Sequence, residues 1–305
     1  MLDSVAFVFP GQGSQAVGMG VDLCAEFASA RELFQEADDA LGFALSRIIR
    51  EGPAETLTLT ANTQPAILLV SVAAYRALDL EPAGVAGHSL GEYSALVAAG
   101  ALAFRDALQL VHKRGRYMQE AVPSGEGAML ALIGSDADAI RAAIDADGGA
   151  VDIANDNAPG QIVIAGERDA ARRVAAAVGA RQAIELPVSA PFHCRLMQPA
   201  EERLRADLAA ISLTAPRLPF YNNVDATHVT TADAVRDGLA RQVSRTVRWT
   251  ELVRGMIAEQ HVTTVVEVGP GTVLSGLVRR IDRTVERLTV NDVASLAAAR
   301  ARFAA

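Results

Sequence analysis

A five-residue stretch, Gly87-His88-Ser89-Leu90-Gly91, constrains this chain more than any other. It follows a short apolar run, Gly84-Val85-Ala86, and precedes a helical pattern from Glu92 to Ala99. A serine flanked by glycines on a tight strand-to-helix turn exposes its hydroxyl at a helix N-terminus, where backbone N–H groups favour negative charge. Glycines suit the two flanking positions because side chains there obstruct so sharp a turn and the approach of a substrate. The alternative is a purely structural turn, so the context has to decide.

With 305 residues, half of them hydrophobic, the chain can bury a substantial core as one large domain or two smaller ones. No apolar run reaches the length of a membrane span, and the N-terminus lacks a secretory pattern, so a soluble cytoplasmic protein is expected, with no membrane partner. Cys24 and Cys194 are too few and too far apart for a disulfide framework or a metal cluster, so no metal site is expected. A net charge of −8 gives no general attraction to nucleic acid, and no nucleic-acid partner is expected. Lys113 is the single lysine, so Schiff-base chemistry rests on that residue alone.

In chain order, Val5 to Phe9 reads as a strand that stops at Pro10-Gly11-Gln12-Gly13-Ser14-Gln15. This loop resembles a dinucleotide-binding turn, but the following stretch reads as helix through Phe34 to Leu41, where a second strand is required. The other reading is a loop whose N–H groups line an anion or oxyanion site. Asn62-Thr63-Gln64-Pro65 predicts a helix start, with the helix running from Ala66 to Leu78 and buried on nearly every side. Gln64 at its mouth is either a cap or a polar group facing the site.

A helix from about Arg105 to Ala121 carries an apolar stripe of Leu108, Val111, Met118 and Val122, and Arg114 falls on it. A guanidinium on a core-facing stripe expects an anion, either an internal Asp or Glu or a substrate carboxylate. Spacing leaves both open.

From Gly125 the pattern changes to strand, helix, strand, strand, helix, strand, ending near Leu186. This βαββαβ order predicts a ferredoxin-like small subdomain over 125–191, inserted between the 1–124 and 192–305 parts of a larger α/β domain. Within it, Asn155-Asp156-Asn157-Ala158-Pro159-Gly160 reads as hairpin-turn chemistry. Pro191-Phe192-His193-Cys194 returns the chain to the large domain, and His193 is expected to begin a helical run through Met197 and Leu204. His228 and His261 lie in polar stretches, His112 sits in a helix, and His88 is the sequence neighbour of the serine. His193 is therefore the general-base candidate for Ser89, against a structural histidine. The C-terminal third predicts helices around Ala234 to Val243 and Thr250 to Glu259, a buried strand Thr264 to Val268, and a helix Val273 to Ile281 after Gly269-Pro270-Gly271. Arg279, Arg280 and Arg283 form a basic cluster, either a solvated face or a dock for an acidic partner.

Several of these stretches together resemble the bacterial malonyl-CoA:acyl carrier protein transacylases. They are Phe9-Pro10-Gly11-Gln12-Gly13-Ser14-Gln15, Gly87-His88-Ser89-Leu90-Gly91-Glu92, Lys113-Arg114-Gly115, Asn155-Asp156-Asn157-Ala158-Pro159-Gly160-Gln161, Pro191-Phe192-His193 and Glu267-Val268-Gly269-Pro270-Gly271. The resemblance runs from about Val5 to Ile281 and implies a hydrolase-like large domain with a parallel-sheet core. It implies that Ser89 takes a malonyl group from malonyl-CoA as an ester and passes it to the phosphopantetheine thiol of acyl carrier protein in fatty-acid biosynthesis. It further implies His193 as general base, the Gln242 main-chain carbonyl as the group that orients it, and the backbone N–H groups of Gln12 and Leu90 as oxyanion hole. Arg114 is implied on the malonyl carboxylate, with Gln64, Phe192 and Asn155 lining the substrate site. No cofactor beyond the coenzyme A thioester is expected, and a monomer is expected. The rivals are a serine esterase or thioesterase of α/β-hydrolase type, a malonyltransferase of a polyketide pathway, and a non-catalytic acyl-binding or scaffold protein, against which intact Ser89, His193 and Arg114 argue. In the hydrolase order the histidine lies near the C-terminus, whereas more than a hundred residues follow His193.

Overall fold

The computed structural model describes residues 2–123 and 125–304. Ten strands build two sheets: β1 (Leu2–Phe9), β2 (Pro82–Gly87), β3 (Gly127–Ile133), β4 (Val151–Ala158), β5 (Gln161–Glu167), β6 (Gln182–Glu185), β7 (Phe220–Tyr221), β8 (His228–Val229), β9 (Thr264–Val268) and β10 (Glu286–Val290). The larger sheet has the order β10-β9-β1-β2-β7-β8 and is parallel except for β8, which pairs antiparallel with β7. The smaller has the order β4-β5-β3-β6, with every neighbouring pair antiparallel.

Val5 to Phe9 are all buried, as are all five residues of β9, because helices cover both faces of the parallel sheet. Side chains alternate between the faces. Phe7, Phe9, Val85, Phe220 and Val266 enter the larger core with the helix Thr60–Leu78. Ala6, Val8, Ala86, Tyr221 and Val265 enter a second core with Trp249, Leu252, Leu274 and Leu277, from the helices Trp249–Glu259 and Val273–Ile281. This is the continuous apolar pattern of a strand buried on both sides.

Three local expectations are corrected. The buried helix begins at Thr60, so Pro65 lies inside it rather than in its first turn. Proline has no N–H to give the Ala61 carbonyl one turn back, and His112 Nδ1 bonds that oxygen instead, at 2.9 Å. The hairpin turn is confined to Pro159 and Gly160, while Asn155 to Ala158 extend β4. They are held as strand because β5 pairs with them on one side, Asn155 opposite Val163 and Asp156 opposite Ile162, while on the other Val247 N–H donates to the Ala154 carbonyl at 2.8 Å and Asp156 N–H to the Val247 carbonyl at 3.0 Å. His193 stands before the helical run rather than in it, since a 3-10 turn begins at Arg195 and the helix spans Gln198–Ala209. Its φ of 59° bends the chain into the site.

Candidate active site

The loops that leave the C-terminal ends of β1, β2, β7 and β9 gather over one edge of the parallel sheet, where ligands bind in open α/β folds. β2 ends at Gly87 and the helix Gly91–Ala98 begins two residues past Ser89, whose φ is 52°. That conformation is strained for a side-chain-bearing residue and is kept only where the surroundings enforce it. A Cβ on Gly87 would overlap the Gly91 backbone, and one on Gly91 would overlap the Phe9 carbonyl. The glycines therefore let the turn nest against the end of β1.

Asn223 ties this turn down from β7. Its Oδ1 accepts the Ser89 N–H at 2.7 Å and its Nδ2 donates to the Gly87 carbonyl at 2.7 Å. His88 turns away, with Nε2 against Asn157 Oδ1 at 2.7 Å and its ring edge-on to Trp249. Sequence neighbourhood thus does not bring His88 to the Ser89 hydroxyl.

Ser89 Oγ lies 2.7 Å from His193 Nε2, and His193 Nδ1 lies 2.8 Å from the Gln242 main-chain oxygen. A carbonyl can only accept, so Nδ1 carries the proton and Nε2 presents its lone pair to the serine. Arg114 Nη2 donates to the same Oγ at 3.1 Å, which leaves the hydroxyl proton directed at Nε2. The three contacts define a single proton arrangement: serine donates, histidine accepts, and an arginine donor supports the oxygen. Burial, then the Arg114 charge, push the His193 pKa down to about 3, so the imidazole is neutral across the physiological range.

Arg114 is 1 % exposed. Among the described residues no carboxylate stands within ion-pair distance of it, so the internal Asp or Glu that its position on the stripe allowed is not there. Two neutral amides hold it instead: Nη1 donates to Gln64 Oε1 and Nη2 to Gln242 Oε1, each at 2.8 Å. Gln64 is thus a buried partner of the guanidinium and not a helix cap. The Arg114 Nε is buried without a partner, and the guanidinium stands 5.6 Å over the Tyr93 ring. Burial lowers its pKa, yet an arginine stays protonated.

These groups open onto one cavity between the two sheets, also lined by Gln12, Leu90, Asn155 and Phe192. Leu90 is the N-cap of the helix after the nucleophile, where backbone N–H groups lack intrahelical acceptors. Val163, Leu186 and Val188 close it from the small-sheet side. Among the described residues no group of three or more His, Cys, Asp or Glu side chains could hold a metal ion, and no helix is long and apolar enough to cross a membrane.

Sequence reasoning missed Asn223, Glu92, Asn157 and the side chain of Gln242. Asn222-Asn223 after the apolar pair Phe220-Tyr221 was the one available signal, and it is weak.

A serine–histidine pair beside a buried arginine, at the C-terminal edge of a parallel sheet, is the equipment of an acyl transfer catalyst. Residues 6–299 match the family described as acyl transferase domain. The malonyl CoA-acyl carrier protein transacylase of Escherichia coli (strain K12) is 50% identical over 303 residues, spanning 96% of this chain and 98% of that one. Two solved structures are similar throughout. An acyl carrier protein S-malonyltransferase from Vibrio cholerae has TM-score 0.94 and 48% identity, covering 97% of this chain and 99% of that one. A malonyl-transacylase in complex with its type II PKS acyl-carrier protein has TM-score 0.95 and 46% identity, covering 98% and 99%. The chain belongs to the acyl transferase family and, within it, to the malonyl CoA-acyl carrier protein transacylases.

Proposed function

We propose that this protein transfers a malonyl group from malonyl-CoA to the phosphopantetheine thiol of acyl carrier protein through a malonyl ester on Ser89. The observation that carries this reading is Arg114: a buried cation with no carboxylate partner among the described residues, 3.1 Å from Ser89 Oγ. Such a group favours an acyl chain that ends in its own carboxylate, because a guanidinium fork pairs with it bidentately and an acetyl group leaves the charge unpaired.

In the first half-reaction Ser89 Oγ gives its proton to His193 Nε2 and attacks the thioester carbon. The oxygen that becomes negative takes the N–H groups of Gln12 and Leu90, each worth roughly 3 kcal/mol in such a site. Collapse expels the coenzyme A sulfur, which leaves with the proton from His193. In the second half-reaction the phosphopantetheine thiol gives its proton to Nε2 and attacks the ester, and Ser89 recovers its proton as it leaves. A carbonyl behind the imidazole stabilises the imidazolium less than a carboxylate does, which suits a thioester, a substrate easier to cleave than an amide. Phe192 beside the base leaves little room for a branched methyl, favouring malonyl over methylmalonyl. All the reacting protein groups are side chains or N–H groups of this chain, which supports a reaction that needs no cofactor besides the acyl thioester.

The antiparallel order of the small sheet supports a ferredoxin-like subdomain over 125–191 inserted into a hydrolase-like domain of 1–124 and 192–305. Free Cys24 and Cys194 support a cytoplasmic setting, and scattered exposed apolar residues such as Val17, Leu59 and Ile184 support a monomer. The exposed Arg279, Arg280 and Arg283 lie at the far end of the helix whose Val273, Leu274 and Leu277 line the cavity, which supports an acidic carrier as partner. Fatty-acid biosynthesis is the pathway we propose. A polyketide carrier is the second reading, favoured by the 46% identity to the transacylase in complex with a type II PKS carrier.

The test compares malonyl-, methylmalonyl- and acetyl-CoA as donors to acyl carrier protein, with intact mass of the enzyme after each donor. A malonyl adduct confined to Ser89 and transfer strongest with malonyl-CoA are expected. An adduct elsewhere, or equal use of acetyl-CoA, overturns the reading. Rates with fatty-acid and type II polyketide carriers compared in the same assay separate the two pathways.

A further inference from the structure

Glu92 is a carboxylate 1 % exposed, in the first turn of the helix that follows the nucleophile, and the chemistry above makes no use of it. Burial raises its pKa to about 7, so the chain carries it at a cost. Its Oε2 accepts two hydrogen bonds, from Gln242 Nε2 at 2.8 Å and from the Asn223 N–H at 3.0 Å. These two partners are the residues that hold the rest of the site. Asn223 pins the backbone of Ser89 and Gly87. Gln242 orients His193 through its main chain and Arg114 through its side chain.

A glutamine amide has nearly the same shape when turned by half a revolution, so only its neighbours decide which end is oxygen. Around Gln242 they decide it one way. On one side stand three acceptors: Glu92 Oε2, the Ser89 carbonyl 2.9 Å from Nε2, and Asn223 Oδ1 at a longer 3.4 Å. On the other stands a donor, Arg114 Nη2. Turned over, the amide would set NH₂ against a guanidinium and oxygen against three oxygens, of which Glu92 Oε2 is the nearest. We propose that Glu92 is a positioning residue: by accepting from Gln242 Nε2 it locks the amide with its oxygen on Arg114, and so holds the guanidinium ready for the acyl carboxylate without pairing to it directly. The amide stands between carboxylate and guanidinium as a relay. A direct Glu92–Arg114 pair would neutralise the cation that the incoming carboxylate needs, whereas the relay engages one Nη2 hydrogen with a neutral oxygen and leaves the charge without a counter-ion among the described residues. This inference rests on the reading of Arg114 given above and adds a residue to it.

The experiment measures kcat and KM for malonyl-CoA and acetyl-CoA on Glu92→Met, Glu92→Gln, Gln242→Met, the Glu92→Met/Gln242→Met pair, and Arg114→Ala. Glu92→Met removes the acceptor at similar volume, and the malonyl-to-acetyl ratio of kcat/KM is expected to fall about tenfold, chiefly through the malonyl KM. Glu92→Gln keeps an oxygen for both donors and is expected to retain most of that ratio. Gln242→Met is expected to reproduce the loss while its main-chain carbonyl still serves His193, and the double variant to add nothing, as for residues acting in one chain of contacts. Should Glu92→Met fold poorly, the contrast between Glu92→Gln and Gln242→Met still reads the ratio. Equal losses for both substrates, failure of Glu92→Gln to restore the ratio, or additive single effects overturn the role of Glu92. An Arg114→Ala variant that keeps its discrimination overturns instead the reading of the arginine on which this one stands.

Discussion

Arg114 and Arg241 carry the same guanidinium and are bound in opposite ways. Arg241, partly exposed on the helix Ala232–Gln242, binds Asp225 through Nη1 and Nη2 at 2.9 and 2.7 Å and Asp237 through Nε at 2.6 Å. These carboxylates raise its pKa. Arg195 with Asp152 and Arg248 with Glu251 follow the same pattern at the surface. Arg114 is buried and has only amide and hydroxyl oxygens. Pairing is thus satisfied where water makes it worth little and withheld where it would be strongest. On the function we propose, the pairing energy of this buried cation is kept for a ligand, and discrimination between acyl groups follows from that.

The largest effect tests whether the buried cation serves a nucleophile at all. Ser89→Ala is expected to abolish the malonyl adduct in intact-mass analysis and to cut transfer by roughly 10⁶-fold, the scale seen on removing a nucleophile elsewhere. Residual acylation at another side chain would detach Arg114 from the chemistry. Next, Arg114→Ala should lower kcat/KM for malonyl-CoA by about 10² to 10³, the cost of leaving a carboxylate unpaired in a dry site, while acetyl-CoA loses far less. Equal losses would make the arginine structural.

The same buried charge reaches His193, which yields a prediction in pH. The folded histidine titrates near 3 and an unfolded one near 6.5, so between these values the unfolded chain binds more protons. Its contribution to stability is complete above pH 6.5 and is lost as pH falls toward 3, by up to ~4 kcal/mol. Glu92 acts with opposite sign: its folded pKa near 7 lies above the usual 4.5, so its cost grows as pH rises from 4.5 to 7. Urea unfolding of wild type and His193→Asn at stepped pH should therefore show the gap between them narrowing as pH falls from 6.5 to 3. A constant gap would mean that the imidazole is not held neutral.

Smaller effects probe the amides. Gln64→Leu leaves Arg114 Nη1 buried without an acceptor and should cost about 1–3 kcal/mol in denaturant unfolding. Arg241→Ala should cost no more than ~1 kcal/mol, because solvent screens a partly exposed pair, and should leave the malonyl-to-acetyl ratio unchanged. A shift in that ratio would blur the distinction between the two arginines.

Much of the scaffold was legible because it is local. Val5 to Phe9, Gly87 to Gly91 and Thr264 to Val268 declare themselves through apolar runs and breakers and form where expected, as does the element order of the small sheet, though not the length of β4. What escaped depends on distant partners. β7 and β8 have two residues each, too short to leave a period. Asn155 to Ala158 carry turn-like residues but are strand, because β5 pairs with them and the distant Val247 carbonyl takes the Asp156 N–H on the other side. Pro65 looked like a helix start, and His112, 47 positions further on, supplies what the ring removes.

The sequence by itself determined the sharp turn that carries Ser89 and the burial of Arg114, since both follow from residues within a turn or two of one another: glycines that permit a sharp bend, and a charge on an apolar stripe. Only the tertiary structure decided what those two groups touch. The side chains of Ser89, Glu92, Arg114, His193, Asn223 and Gln242 form hydrogen bonds across separations of 19 to 153 positions. Hydrogen bonds of such reach leave no period in the chain, because their geometry is set by how the two cores pack about the sheet and not by neighbours in sequence.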